Sequence, residues 1–241
     1  MKVKVLLFLL VCVPSGSALT QNHMDTAFIA TAKQNAITLH EKELRTQSGL
    51  YNGSKYVAPD YDRDLHPYFS SEDWITGTVY YDGEYFTDVS LMYDLYNAAL
   101  IAEHFPSGQP IQLIDEKVRS FNIDGHHFEK IENEVVGNSL PATDFYDVLH
   151  PGKTRLVARR QKLRRQEIED LSVETFFDEK TRYFVFKNDV FFPVKNRAAL
   201  LKILSDKKRG LKKFLKDNKA LRLQSKEELL RRLAEHYDSI E

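Results

Sequence analysis

Two adjacent histidines, His126 and His127, follow the dipeptide Asp124-Gly125 and could supply imidazole ligands to a metal ion. Neighbouring residues of a β-strand point to opposite faces, so the two rings cannot face one ion together. Asp124 and Glu129 lie nearby in the sequence, but a complete site would need further ligands from distant parts of the chain. The sequence therefore predicts a histidine pair near the tip of a hairpin and no metal site.

Alternating aspartates at positions 60, 62 and 64 begin like a calcium-binding loop. Such a loop needs glycine at its sixth position and a bidentate glutamate at its twelfth. Leu65 occupies the glycine position, and the glutamate is absent. The pattern indicates a solvated acidic turn, with a looser loop for divalent cations as the alternative.

Catalytic chemistry has little support in the sequence. Glycoside hydrolysis needs two carboxylates that face each other across a cleft, and no spacing among the many acidic residues selects such a pair. The chain has neither a Gly-x-Ser-x-Gly nucleophile motif nor a glycine-rich phosphate-binding loop. We therefore predict no catalytic residue and no cofactor, and favour a binding role over an enzymatic one.

A group of aromatic residues near the start of the predicted sheet could stack on sugar rings, because tyrosine and tryptophan combine an apolar face with a polar edge. The candidate ligand-binding residues are Trp74, Tyr80, Tyr81 and Tyr85. Aromatic residues are also enriched in strands, so packing in a β core is the alternative. This group is the basis of a second functional hypothesis, a glycan binder or glycoside hydrolase.

A dense run of basic residues could bind an anionic partner. It consists of Lys153, Arg155, Arg159, Arg160, Lys162, Arg164 and Arg165. An acidic envelope protein, an acidic glycan or a lipid headgroup would suit such a run, whereas export of the chain excludes nucleic acid. A solvated strand edge, or pairing with acidic residues of the same chain, is the alternative.

Charge is divided unevenly along the chain. Residues 19–150 contain 8 basic and 21 acidic residues, whereas residues 151–241 contain 24 basic and 14 acidic residues. Opposite charges attract, so the simplest expectation is that the two parts neutralise each other within one fold. A basic surface would remain for an anionic partner.

The first 18 residues have the three parts of a secretory signal peptide. Lys2 and Lys4 precede an apolar run at positions 5–13, and the small residues at 15–18 predict cleavage after Ala18. The apolar run is much shorter than the roughly twenty residues that a membrane-spanning helix needs. We therefore expect an exported protein, periplasmic or associated with the outer membrane, with no transmembrane segment in its mature part.

The only cysteine, Cys12, lies inside the apolar run of the predicted signal peptide. A lipid-modified cysteine normally follows a small residue, but Val11 precedes Cys12, so we do not expect a lipoprotein. Once the signal peptide is removed, the mature chain has no thiol. Disulfides, thiolate metal sites and cysteine nucleophiles are thereby excluded.

Short runs rich in Tyr, Phe, Val and Ile, separated by two-residue turn signals, extend from Trp74 to residue 194. Asp82-Gly83 and Asp124-Gly125 are the clearest signals, because a tight hairpin turn needs positive φ at both positions. The pattern predicts strands at 74–81, 84–89, 91–96, 99–104, 110–114, 117–123, 127–132, 145–149, 154–160, 182–187 and 190–194. It indicates an antiparallel β-meander in a bent sheet, barrel or sandwich.

Helical periodicity replaces the strand pattern after residue 195 and predicts three amphipathic helices. Asn196 is expected to cap the first, and Ser225 with Glu228 forms a capping box for the last. Residues 24–45 predict a further helix. We expect an α+β protein, mainly β, with a signal peptide (1–18), a helix and irregular link (19–72), a β domain (73–195) and C-terminal helices packed on it (196–241).

Three stretches of the chain, 66–101, 111–131 and 186–219, resemble uncharacterised exported proteins of Bacteroidetes. The matching features are the hairpin from Gly77 to Tyr85, the Tyr93-Asp94 pair, the hairpin from Gly125 to Phe128 and the lysine-rich helical tail. The resemblance covers most of the mature chain. It implies a bacterial envelope location and a single folded unit, and it transfers no catalytic residue.

Overall fold

The structure is a computed structural model that describes residues 29, 31–33, 49–61, 65–105, 107–132, 140, 144–169 and 172–240. The chain divides into two compact units, Met1–Gln47 and Ser48–Glu241. In the first unit, residue 29 and residues 31–33 are helical, within the helix predicted at 24–45. The predicted signal peptide, its cleavage site and Cys12 lie outside the described residues, as do Asp62 and Asp64 of the acidic turn.

The described part of the second unit contains an eleven-stranded, wholly antiparallel sheet with the order β1-β5-β4-β3-β2-β6-β7-β8-β9-β10-β11. The strands are β1 (Ser54–Lys55), β2 (Ile75–Tyr81), β3 (Glu84–Asp94), β4 (Ala99–His104), β5 (Gln109–Gln112), β6 (Val118–Ile123), β7 (His126–Ile131), β8 (Asp144–His150), β9 (Leu156–Glu169), β10 (Ser172–Lys187) and β11 (Val190–Val194). The predicted β-meander is confirmed.

Tight turns between the strands lie where the sequence predicted them. At Asp82-Gly83 the φ angles are 51° and 87°, and at Asp124-Gly125 they are 49° and 74°. Asn188 and Asp189, between β10 and β11, also have positive φ. Because the left-handed region is accessible to Gly, Asn and Asp, these dipeptides determine where the chain reverses.

The strand pattern differs from the prediction by more than two residues in two places, and β1 was not predicted. The predicted strands 84–89 and 91–96 form one strand, β3, which continues through Asp88 at a φ of 53°. The predicted strands 154–160 and 182–187 extend towards each other as β9 and β10, whose paired residues run from Ser172↔Glu169 to Val185↔Leu156. Cross-strand contacts favour this extension, since the guanidinium of Arg165 lies 5.0 Å from the ring centre of Phe176, its partner in the register. We call residues 159–169 and 172–182 the β-ribbon.

A cluster of aromatic rings shows how strongly the sheet is bent. The rings of Tyr93 on β3 and Phe145 on β8 lie 6.1 Å apart, and both contact Phe121, which is stacked on Phe128. Four strand spacings separate β3 from β8 in the sheet order, which is about 19 Å in a flat sheet. The strands therefore curve around a shared core.

Three helices pack against the C-terminal strands. They are α1 (Arg197–Ile203), α2 (Lys208–Asp217) and α3 (Lys226–Ser239), and their buried leucines form a core with Leu156, Val185 and Val194. The side chains of Asn196 and Ser225 cap α1 and α3 as predicted, but the Glu228 carboxylate of the predicted capping box pairs with Arg231 and Arg232 instead. The Asn196 side chain accepts a hydrogen bond from the Ala199 amide at 3.0 Å, and Ser225 Oγ accepts one from the Glu228 amide at 3.1 Å.

Candidate anion-binding surface

Three arginines of the predicted basic run bind carboxylates from the acidic N-terminal part of the chain. The pairs are Arg155 with Glu129, Arg159 with Asp144 at 2.6 Å, and Arg160 with Asp147 at 2.6 Å. Asp144 and Asp147 belong to β8, so the pairs of Arg159 and Arg160 join the neighbouring strands β8 and β9, whereas Arg155 reaches Glu129 on β7. Because these arginines already bind carboxylates, they offer little charge to a partner.

The other four residues of the run do not form one surface. Lys162 is half-buried and donates from Nζ to the carbonyl of His66 at 2.7 Å, and burial lowers the pKa of Lys162. Arg165 binds Asp178 at 2.9 Å, while Lys153 and Arg164 are exposed. Residues alternate between the two faces of β9, so Arg165 lies on the opposite face from Lys162 and Arg164, while Lys153 precedes the strand.

Arg160 is the centre of a buried ionic network. Its guanidinium binds Asp147 and also Glu227, at 2.9 Å, in the first turn of α3. His126 Nδ1 lies 2.8 Å from the same carboxylate of Asp147, and this hydrogen bond raises the pKa of His126. The network therefore connects α3 with three strands of the sheet.

The two histidines take separate roles, as strand alternation predicted. His126 lies beside Asp147 and packs edge-on against Phe69, with ring centres 5.1 Å apart. His127 Nδ1 lies 2.9 Å from Asn122 Oδ1. Within the described ranges, no group of three or more His, Cys, Asp or Glu residues is arranged to hold a metal ion.

The four predicted ligand-binding aromatics are divided among three environments. Trp74 is half-buried and packs against a cluster formed by Tyr56, Tyr68, Met92 and Ile101. Tyr81 is buried and donates to Asn52 Oδ1 at 2.6 Å. Tyr80 and Tyr85 are exposed cross-strand partners of β2 and β3, so only these two share an open face.

The largest group of free cations in the described structure lies on α2 and just after it. Lys208, Arg209, Lys212, Lys213, Lys216 and Lys219 are all exposed, and we call these six residues the helical basic face. With 3.6 residues per turn, the five on α2 occupy an arc of about 140°. None of the six forms an ion pair with any carboxylate that the structure describes.

The opposite side of α2 is firmly packed. Leu211 and Leu215 are buried in the helical core, and the ring of Phe214 stacks on His236 of α3 with centres 4.1 Å apart. The N-terminal turn of α2 borders an open depression of about 630 Å³. The cations therefore project from a helix whose position is fixed by its apolar face.

Helix α3 differs from α2 because its arginines are paired with glutamates of the same helix. On α3, Glu228 binds Arg231 and Arg232, and both arginines also bind Glu235. The hydrogen bond from Arg231 lowers the pKa of Glu228. The charges of α3 are thus balanced within the helix, whereas those of the helical basic face are not.

Sequence reasoning predicted an amphipathic helix here but assigned the anionic partner to residues 153–165. That run has seven basic residues in thirteen positions, as does the stretch 207–219, and density in sequence does not reveal pairing with distant carboxylates. The available signal was spacing: Lys208, Lys212 and Lys216 recur every four residues, as do Arg209 and Lys213, and residues four apart share a helix face.

Comparison with protein-family models, curated proteins and solved structures gave no match to this chain. No helix in the described part of the chain is long and apolar enough to cross a membrane.

Proposed function

We propose that the chain is an exported cell-envelope protein that acts as a non-enzymatic binding module for an anionic partner. The observation that supports this most strongly is the helical basic face, with six exposed cations and no carboxylate partner among the described residues. The β-sheet is the scaffold, and α2 presents the binding surface.

Repulsion among these cations favours binding of an anion. Like charges three or four residues apart destabilise a helix by about 0.2–0.5 kcal/mol per pair. Lys208/Lys212, Lys212/Lys216 and Arg209/Lys213 are such pairs. The apolar contacts of Leu211 and Leu215 hold α2 in place despite this cost. An anionic partner would relieve the repulsion on binding.

Carbohydrate recognition has weaker support. Trp74 packs against other aromatic side chains and Tyr81 lies in the core, which leaves Tyr80 and Tyr85 as the exposed pair. A stacking site for a sugar would have to be formed by these two rings alone.

Charge reversal on α2 tests the proposal. We expect the purified protein to bind a heparin column, used as a polyanionic probe, and to elute as salt screens the cations. The triple variant Lys212→Glu, Lys213→Glu, Lys216→Glu should elute at roughly half that salt concentration or lower, because six units of charge are removed from one face.

A matched variant separates the effect of this face from that of net charge. Lys180→Glu, Arg182→Glu and Lys195→Glu change the same number of exposed cations on β10 and just after β11. This control should elute close to the original protein. Equal shifts for the two variants, or failure of the original protein to bind at low salt, would refute the proposed surface.

A further inference from the structure

We infer that the helical basic face docks on an anionic lipid bilayer, with Leu223 inserting between the headgroups. This inference rests on the proposed function and specifies the partner of the same surface. It is based on the arrangement of the cations, on an exposed apolar side chain that follows them in the chain and on the anchoring of the helix.

The cations are spread out in a way that suits contact with a broad anionic surface. Five of the six lie along α2 on an arc of about 140°, and Lys219 continues the group in the 3-10 turn that follows, Lys219–Leu223. An extended array of this kind can contact many headgroups at once. Peripheral proteins use such clusters to bind anionic lipids, and the attraction falls off within a Debye length.

Leu223 supplies an apolar contact at the end of the same segment. Its side chain is 91% exposed, more than that of any other described large hydrophobic residue. It lies six residues after Asp217, the last residue of α2, and four after Lys219. An apolar side chain next to cations is the combination that lets a helix rest in the interface of a membrane.

A soluble polyanion would use the cations but would gain nothing from Leu223. A bilayer would use both, because its headgroups attract the lysines while its acyl region accepts an apolar side chain. The exposed leucine therefore favours the bilayer. The apolar core beneath α2 keeps the helix in place when it docks.

Vesicle sedimentation tests the inference with four proteins: the original chain, Leu223→Ala, the α2 triple variant and Ile168→Ala. Ile168 is a matched control, since it is 79% exposed at the far end of the β-ribbon. We expect binding to equimolar phosphatidylglycerol and phosphatidylcholine and none to phosphatidylcholine alone. Leu223→Ala should weaken vesicle binding about tenfold, while Ile168→Ala should not.

Binding to the heparin column distinguishes the bilayer inference from the proposed function on which it rests. Leu223→Ala should elute from heparin with the original protein, because no charge has changed. If the original protein binds heparin but not anionic vesicles, or if Leu223→Ala binds vesicles as tightly as the original, the bilayer inference is overturned and the proposed function stands. Failure of the original protein to bind heparin at low salt would refute the proposed function itself.

Discussion

Replacement of Arg160 with methionine is expected to lower the free energy of unfolding by about 3–5 kcal/mol. The Arg160 side chain is 8% exposed, and its removal leaves Asp147, which is 1% exposed, without its guanidinium partner. A buried carboxylate that loses its partner keeps its desolvation cost and loses the attraction that offset it. Chemical denaturation followed by circular dichroism would measure the loss.

Arg165→Met provides the matched control. Arg165, also on β9, pairs with Glu167 and with Asp178 of β10, but its side chain is 49% exposed, so its removal should cost at most about 1 kcal/mol. The two variants remove the same group from the same strand and differ in burial. Equal losses would show that the network around Arg160 does not stabilise the fold as described.

The stability of Arg160→Met should also depend on pH in a defined direction. Among the described residues, His126 in its protonated form is then the cation that still contacts Asp147. The pKa of His126 is raised in the folded protein by the hydrogen bond to Asp147, so its stabilising effect is complete below the ordinary value of 6.5. This effect is lost as the pH rises through the raised pKa, and the variant should be less stable at pH 8 than at pH 6.

Replacement of Gly77 with alanine is expected to destabilise the protein by about 3 kcal/mol. A Cβ atom at this position would lie 2.9 Å from Cδ1 of Leu91 and closer still to the carbonyl oxygen of Asn122 on β6. The leucine could move, but the carbonyl belongs to the backbone of the paired strand. Relief would require β2 and β6 to separate beside the pair Thr78↔Asn122.

Gly49→Ala is the control for this prediction. Gly49 lies in a short 3-10 turn, and a Cβ there would meet nothing within 4 Å, so the change should stay within about 0.5 kcal/mol. Thermal unfolding of both variants would compare them directly. A Gly77→Ala protein as stable as Gly49→Ala would contradict the close approach of β2 and β6.

Local signals predicted much of the fold because they act through backbone conformation. Asp82-Gly83 and Asp124-Gly125 needed only their own φ preferences to place a turn, and Asn196 and Ser225 needed only nearby amides to cap a helix. The β-ribbon was missed because its charged residues hide the apolar alternation of a strand. Contacts such as Arg165 with Phe176 stabilise it and depend on register.

The candidate site was harder to predict because it depends on which cations remain unpaired after folding. Arg155, Arg159 and Arg160 looked like a free basic run, but each binds a carboxylate at least thirteen residues away in sequence. The cations of the α2 region are equally dense in the sequence, and the helix gathers them on one face. Sequence spacing could identify that face, but only tertiary structure distinguishes paired cations from free ones.

Lysine acylation with mass spectrometry would test most directly whether the helical basic face is the binding surface. The purified protein is treated with an amine-acetylating reagent, alone and with heparin as the probe. We predict protection of Lys208, Lys212, Lys213, Lys216 and Lys219, with unchanged reaction at the exposed Lys153, Lys180 and Lys195. Protection at Lys153 or Lys180 instead, or equal protection of all eight lysines, would contradict binding through α2.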